Sequence, residues 1–180
     1  MRLRVIATAV FLAAPGWAQA PAAPPAQTEA MKSCSFLAGR WAGEGWMSFG
    51  PGEPRKFHET ESVTPKLDGL LLEIEGLGTG DGGKVVHSAL AILSFDGQTK
   101  QYHFRAYDGM GHFTDADASC KDGAMIWSMA IGPRTMRYTI KLNQKGQWFE
   151  VGEMSADSRQ WQKFFEMTLD KAGEGQAHSR

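Results

Sequence analysis

Acids, histidines, two cysteines and large aromatics are the side chains in this sequence with chemistry to offer. Glu44, Glu73, Glu150 and Glu166 are able to move protons wherever a strand turns them away from water. Glu73 and Glu150 read as solvated strand faces; a barrel enzyme using Glu166 and a rim histidine such as His58 for proton transfer is the alternative to a binding role. His87, His103 and His112 lack paired ligand spacing such as His-x-x-x-His, so no metal site is expected. Arg55, His58, His87, Arg105, His112, Arg134 and Arg159 fall toward strand ends. They read either as a rim for an anionic head group or as ordinary mixed-charge surface, since Glu53, Asp81, Asp108, Asp115 and Asp157 are interleaved with them. Trp46, Phe104, Trp127, Tyr138 and Trp161 are the aromatics suited to gripping an apolar ligand. Neither a Gly-x-Ser-x-Gly elbow nor a phosphate-cradling glycine loop is present, and no catalytic residue is assigned. The candidate ligand site is therefore His58, Phe104, Arg105, Trp127, Tyr138, Trp161 and Glu166.

Short alternating segments must position these groups. Strands are expected at Trp41 to Phe49, Lys56 to Val63, Leu70 to Leu77, Val85 to Phe95 and Lys100 to Tyr107. His112 to Ser119, Ala124 to Ile131, Thr135 to Leu142, Gln147 to Met154 and Gln160 to Leu169 complete the set. Turn pairs such as Asp96-Gly97, Asp122-Gly123 and Gly132-Pro133 separate them, and no connection has room for a crossover helix. Met136, Tyr138, Ile140 and Leu142 share one face, with Arg137, Thr139 and Lys141 on the other; Trp161, Phe165, Met167 and Leu169 mark one face of the last strand. The expected fold is all-β, an antiparallel up-and-down barrel of about ten strands. A two-sheet sandwich is the rival, but it needs longer crossing connections. Gly43 and Gly45, on the face of Trp41, would leave interior volume unfilled.

The ends read differently. Arg2 and Arg4, an apolar stretch from Val5 to Ala14, and Ala18-Gln19-Ala20 form the pattern of a secretory signal peptide over residues 1–20. An Ala/Pro linker over 21–29 precedes a barrel domain at 30–171, and 172–180 is a tail. A short helix capped by Thr28 and ended by Gly39 would floor the barrel. A net charge of −1 argues against nucleic-acid binding, and no membrane partner is expected. A small-molecule ligand is the expected partner, with periplasmic or secreted localisation.

The run Phe36-Leu37-Ala38-Gly39-Arg40-Trp41-Ala42-Gly43-Glu44-Gly45 resembles the opening of nitrobindin-like barrels and of a related exported bacterial family of unknown function, both in the lipocalin-like group. The likeness continues through Glu59 to Val63, Asp68-Gly69, Phe95-Asp96, Tyr107-Asp108 and Phe165-Glu166-Met167-Thr168. The resemblance implies that Trp41 plugs the closed end, with Gly39 opening the first strand. It also implies, through the nitrobindins, haem held by a histidine in the last strands and chemistry on nitric oxide or peroxynitrite. Residues 147 to 169 contain no histidine, tyrosine or cysteine, so haem is not expected as a cofactor.

Cys34 and Cys120 are the two cysteines of the chain. Export into an oxidising compartment favours a bridge between them. The strand order gives a second reason, because Cys120 ends a strand running down to the floor where Cys34 sits. Two buried free thiols are the alternative.

Overall fold

The computed structural model describes residues 24–173. The expected signal peptide, residues 21–23 of the linker and residues 174–180 of the tail lie outside the described residues. A helix, α1 (Pro25–Lys32), and a short 3-10 turn at Ser35–Leu37 lead into ten strands. These are β1 (Gly39–Met47), β2 (Arg55–Lys66), β3 (Leu71–Thr79), β4 (Val85–Asp96) and β5 (Gln101–Asp108). β6 (Phe113–Lys121), β7 (Ala124–Ile131), β8 (Arg134–Leu142), β9 (Trp148–Ser155) and β10 (Gln162–Lys171) follow. Each strand pairs antiparallel with its neighbours in sequence, and β1 pairs with β10 to close the barrel. Closure leaves no free edge strand among the described residues, although β6 pairs with β7 only over 117–121, so those two strands part toward the mouth. Turn chemistry drives the meander: at the β6–β7 hairpin Asp122 and Gly123 both take positive φ, +53° and +74°, as a two-residue primed turn requires.

The helix starts at Pro25, three residues before Thr28, so residues 25–29 are helical rather than linker. Pro25 lies in the first turn, where its missing N–H costs nothing and its fixed φ suits the helix. Thr28 Oγ1 donates to Pro24 O at 3.3 Å instead of capping. Chain direction then sorts the loops: β1 rises from the helix end, so the floor holds α1 and the starts of odd-numbered strands, and the opposite end is the mouth.

The floor is sealed. Met31, Cys34 and Leu37 are buried against the barrel, and Tyr102 Oη donates to Ala30 O at 2.7 Å. Cys34 and Cys120 form a disulfide with their Cα atoms 5.5 Å apart. Trp41 is buried, donates Nε1–H to Leu37 O at 2.8 Å and meets Trp148 edge-on, with ring centroids 5.9 Å apart. Gly43 and Gly45 do share the face of Trp41, but no empty volume lies above them. A Cβ on Gly43 would strike the Thr168 carbonyl, and one on Gly45 would strike the Phe57 ring. Their role is close approach: they let β10 and Phe57 fill that space. No helix among the described residues is long and apolar enough to cross a membrane.

Candidate functional site

Above the sealed floor the barrel holds a cavity of about 320 Å³ that reaches the mouth. Strand alternation decides what lines it. On β2, Phe57, Glu59, Glu61 and Val63 face in, and His58, Thr60 and Ser62 face out. On β8 Tyr138 and Ile140 face in, and on β9 Trp148 and Glu150 do. Trp127 on β7 stacks on Tyr138 with centroids 4.3 Å apart and planes 10° from parallel, and Phe104 on β5 lies 4.7 Å from Trp127. Phe57 and Phe165 stack across the β1 side at 5.7 Å. Exposed Phe49, Met110, Phe113 and Ile131 surround the mouth.

The distinctive chemistry is three inward carboxyl groups. Glu59 and Glu150 are 2% and 6% exposed; Glu61 is only partly buried as a residue, but its Oε2 is fully buried. Register explains how they fit: Glu59 lies opposite Gly43 and Gly78, and Glu61 opposite Trp41 and Gly76. A Cβ on Gly78 would stand 2.5 Å from Glu59 Oε2, and one on Gly76 2.9 Å from Glu61 Oε1. Trp148 Nε1–H donates to Glu150 Oε2 at 3.1 Å. Glu59 Oε1 and Glu61 Oε2 have no hydrogen-bond partner among the described residues.

Burial away from water penalises the carboxylate form. It pushes Glu59 up to about 8, helped by the nearby charge of Glu150. Glu61 is raised well above the usual range by burial, then by Glu59 and Glu150. Glu150 rises to about 7 through burial, with the Trp148 hydrogen bond pulling the other way. Burial first and Glu150 second also raise the Tyr138 phenol. Near neutrality Glu59 and Glu61 are carboxylic acids among aromatic rings, while Glu150 is close to its midpoint.

Of the seven candidate residues, Phe104, Trp127 and Tyr138 line the cavity. The other four lie outside the barrel wall. His58 Nδ1 is 3.1 Å from Glu44 Oε1 on the outer face. Arg105 Nε donates to Asp115 Oδ2 at 3.1 Å, also outside. Glu166 accepts from Lys163 Nζ at 2.7 Å, so Glu166 and His58 do not meet in the cavity. Trp161 sits under the Arg137 guanidinium, whose carbon is 3.8 Å from the ring centroid. Its misplacement has a clear cause. A bulge between Lys163 and Phe165 adds a residue to β10, reversing the alternation and turning Phe164 inward with Phe165. Trp46, opposite Lys56 and Glu166 on its neighbours, is not part of the lining either.

Glu150 was expected on a solvated face, and its burial overturns that expectation; Glu73 does lie outside, 2.9 Å from Lys66. Sequence reasoning missed Glu59 and Glu61 altogether. The signal was present: apolar Phe57 and Val63 bracket them at even spacing, which places both acids on the core face.

Fold and cavity define a closed ten-stranded barrel with an acid-lined, aromatic interior. The chain belongs to the family described as "Protein of unknown function (DUF1579)", whose model matches residues 27–171. No curated protein matches it. Among solved structures it is similar to Rv2717c from M. tuberculosis, at 14% identity and a TM-score of 0.58 over 80% of this chain and 98% of that one. At that identity the likeness is one of fold.

Proposed function

We propose that this protein is an exported carrier of a small, largely apolar ligand held inside the barrel. The observation that carries the reading is the cavity of about 320 Å³, walled by aromatic rings and open at an apolar mouth. That volume lies at the lower end of ordinary ligand pockets. The lining among the described residues includes no Lys or Arg, so the reading favours a ligand without an anionic head group. The Cys34–Cys120 bridge supports an oxidising location, periplasmic or secreted, after cleavage near Ala20. The buried Trp41 at the closed end supports the nitrobindin-like, lipocalin-like reading of the fold. The inward residues of the last strands, among them Trp148, Glu150, Met167 and Leu169, supply no histidine, and the reading includes no haem. Ferric haem should then give no stoichiometric Soret shift; a tight one-to-one complex would restore the nitric oxide or peroxynitrite role.

Native mass spectrometry of the purified protein before and after delipidation tests the carrier reading, followed by uptake of the neutral dye N-phenyl-1-naphthylamine. A one-to-one adduct is expected, lost in Ala106→Trp, which places an indole in the cavity. Absence of both adduct and dye uptake would show that the cavity is not a binding site.

A further inference from the structure

We propose that the cavity recognises an organic cation, a protonated primary or secondary amine on an apolar, ring-bearing body, seated with its N–H donors on Glu59 and Glu61. This rests on the carrier reading above and adds the ligand's chemical class.

The first observation is a buried acceptor without a donor. Glu59 is 2% exposed, faces the cavity and keeps Oε1 unpartnered among the described residues, as does Glu61 at Oε2. Folded proteins rarely leave such atoms unpaired, and each exception calls for a specific explanation, of which a bound donor is one. The second is placement: Gly76 and Gly78 leave the space that the Glu59 and Glu61 carboxyls fill, which sets both acids side by side on the cavity wall. Third, Trp127, Tyr138 and Phe104 line the same cavity as rings stacked on one another, an apolar wall suited to the ring-bearing body of the ligand.

Charge separates the ligand classes. Glu59 and Glu61 on β2 and Glu150 on β9 face the interior, with Tyr138 on β8. His87 on β4 and Tyr107 on β5 stand nearer the mouth, as do Asp108 and His112, which pair with each other at 2.8 Å. A carboxylate ligand would meet these acids without a fixed cation to offset them. An alcohol has one proton to donate; an ammonium has two or three and the complementary charge. A metal cation is not the fit, because among the described residues no group of three His, Cys, Asp or Glu is arranged to hold one.

The proton balance follows. In the empty barrel Glu59 holds its proton up to about pH 8. Binding converts its carboxylic acid and the free ammonium into a carboxylate–ammonium pair, and one proton leaves to solvent. Amine affinity therefore rises with pH until Glu59 is ionised in the empty barrel.

Titration calorimetry of the disulfide-bonded chain with phenethylamine, 2-phenylethanol and phenylacetate tests this. At about pH 8 the amine should bind roughly tenfold or more tighter than the alcohol, with phenylacetate weakest, and the margin should shrink by about pH 6. Buffers of different ionisation enthalpy should report proton release for the amine alone. Glu59→Gln should remove the preference for amine over alcohol and the proton release that accompanies amine binding; Glu61→Gln and the wild-type pH profile serve if that variant does not fold. Alcohol or phenylacetate binding as tightly as the amine would overturn the inference and leave the carrier reading standing. Binding of the neutral dye with none of the three ligands would do the same, whereas loss of dye uptake as well would remove both.

Discussion

Glu59, Glu61 and Glu150 titrate above the range of surface carboxylates because the barrel removes water without supplying a cation. The folded state thus holds protons that the unfolded chain releases above about pH 4.5. Wherever the folded state binds more protons, stability falls as pH rises, here from about pH 5 through the values near 7 and 8 of Glu150 and Glu59. The loss should be on the order of a few kcal/mol. Tm measured across that window should decline, and Glu59→Gln or Glu150→Gln should flatten the decline. A Tm that climbs with pH over the same window would mean that these acids are not buried as described. The residue types needed for this site were visible in the sequence, but their facing was only partly read. Phe104, Trp127 and Tyr138 line the cavity, whereas Trp46 and Trp161, equally large and aromatic, do not, because strand parity and not chemistry decides the facing. His58, Arg105 and Glu166 have suitable chemistry too, yet parity places each beside an opposite charge on the outer wall.

β1 and β10 illustrate what spacing can and cannot say about an element. Gly43 lies opposite Leu169, and its missing side chain lets the two strands close against each other. Gly43→Ala should destabilise by about 1–3 kcal/mol or more, because backbone, not a flexible tip, blocks the new methyl. A lowered urea midpoint with unchanged slope is the expected signature. Gly78→Ala meets first the Glu59 carboxyl and the His87 Cβ, side-chain atoms rather than backbone, and should cost less while altering the pH profile. Equal midpoints for Gly43→Ala and wild type would refute the close approach. In β10 the bulge makes a companion prediction: Trp161→Ala should leave dye uptake unchanged, whereas Trp127→Ala should weaken it. Reversed results would mean that the alternation was not broken at Lys163–Phe165. Nothing in local composition announces that extra residue, since both Phe164 and Phe165 are good strand residues.

For the whole molecule, turn chemistry made the architecture legible. Asp-Gly and Gly-Pro pairs at short intervals permit hairpins and little else, and ten hairpin-linked strands have one tidy way to dispose of their edges. The same order put Cys120 at the floor beside Cys34. Their bond spans a sequence separation of 86, for which restriction of the unfolded chain contributes up to about 4.6 kcal/mol. Unfolded without reductant, the protein should resist thiol alkylation; reduction or Cys34→Ser should lower its Tm markedly. Two thiols alkylated in that experiment would contradict the bridge. Helix boundaries were less legible, because a proline that breaks most segments also starts a helix well.

The joint between β1 and β10 sets the order of assembly. Nine of the ten strand pairings join consecutive strands, each formed by a short hairpin excursion. The tenth joins the first strand to the last, Trp41 to Lys171 and Met47 to Phe165, with all the other strands in between. Local hairpins are fast to form, while long-range closure must wait on a costly reduction of chain freedom. A chain lacking β10 is therefore a curled sheet with two bare edges, primed to pair with its own copies rather than to hold a ligand.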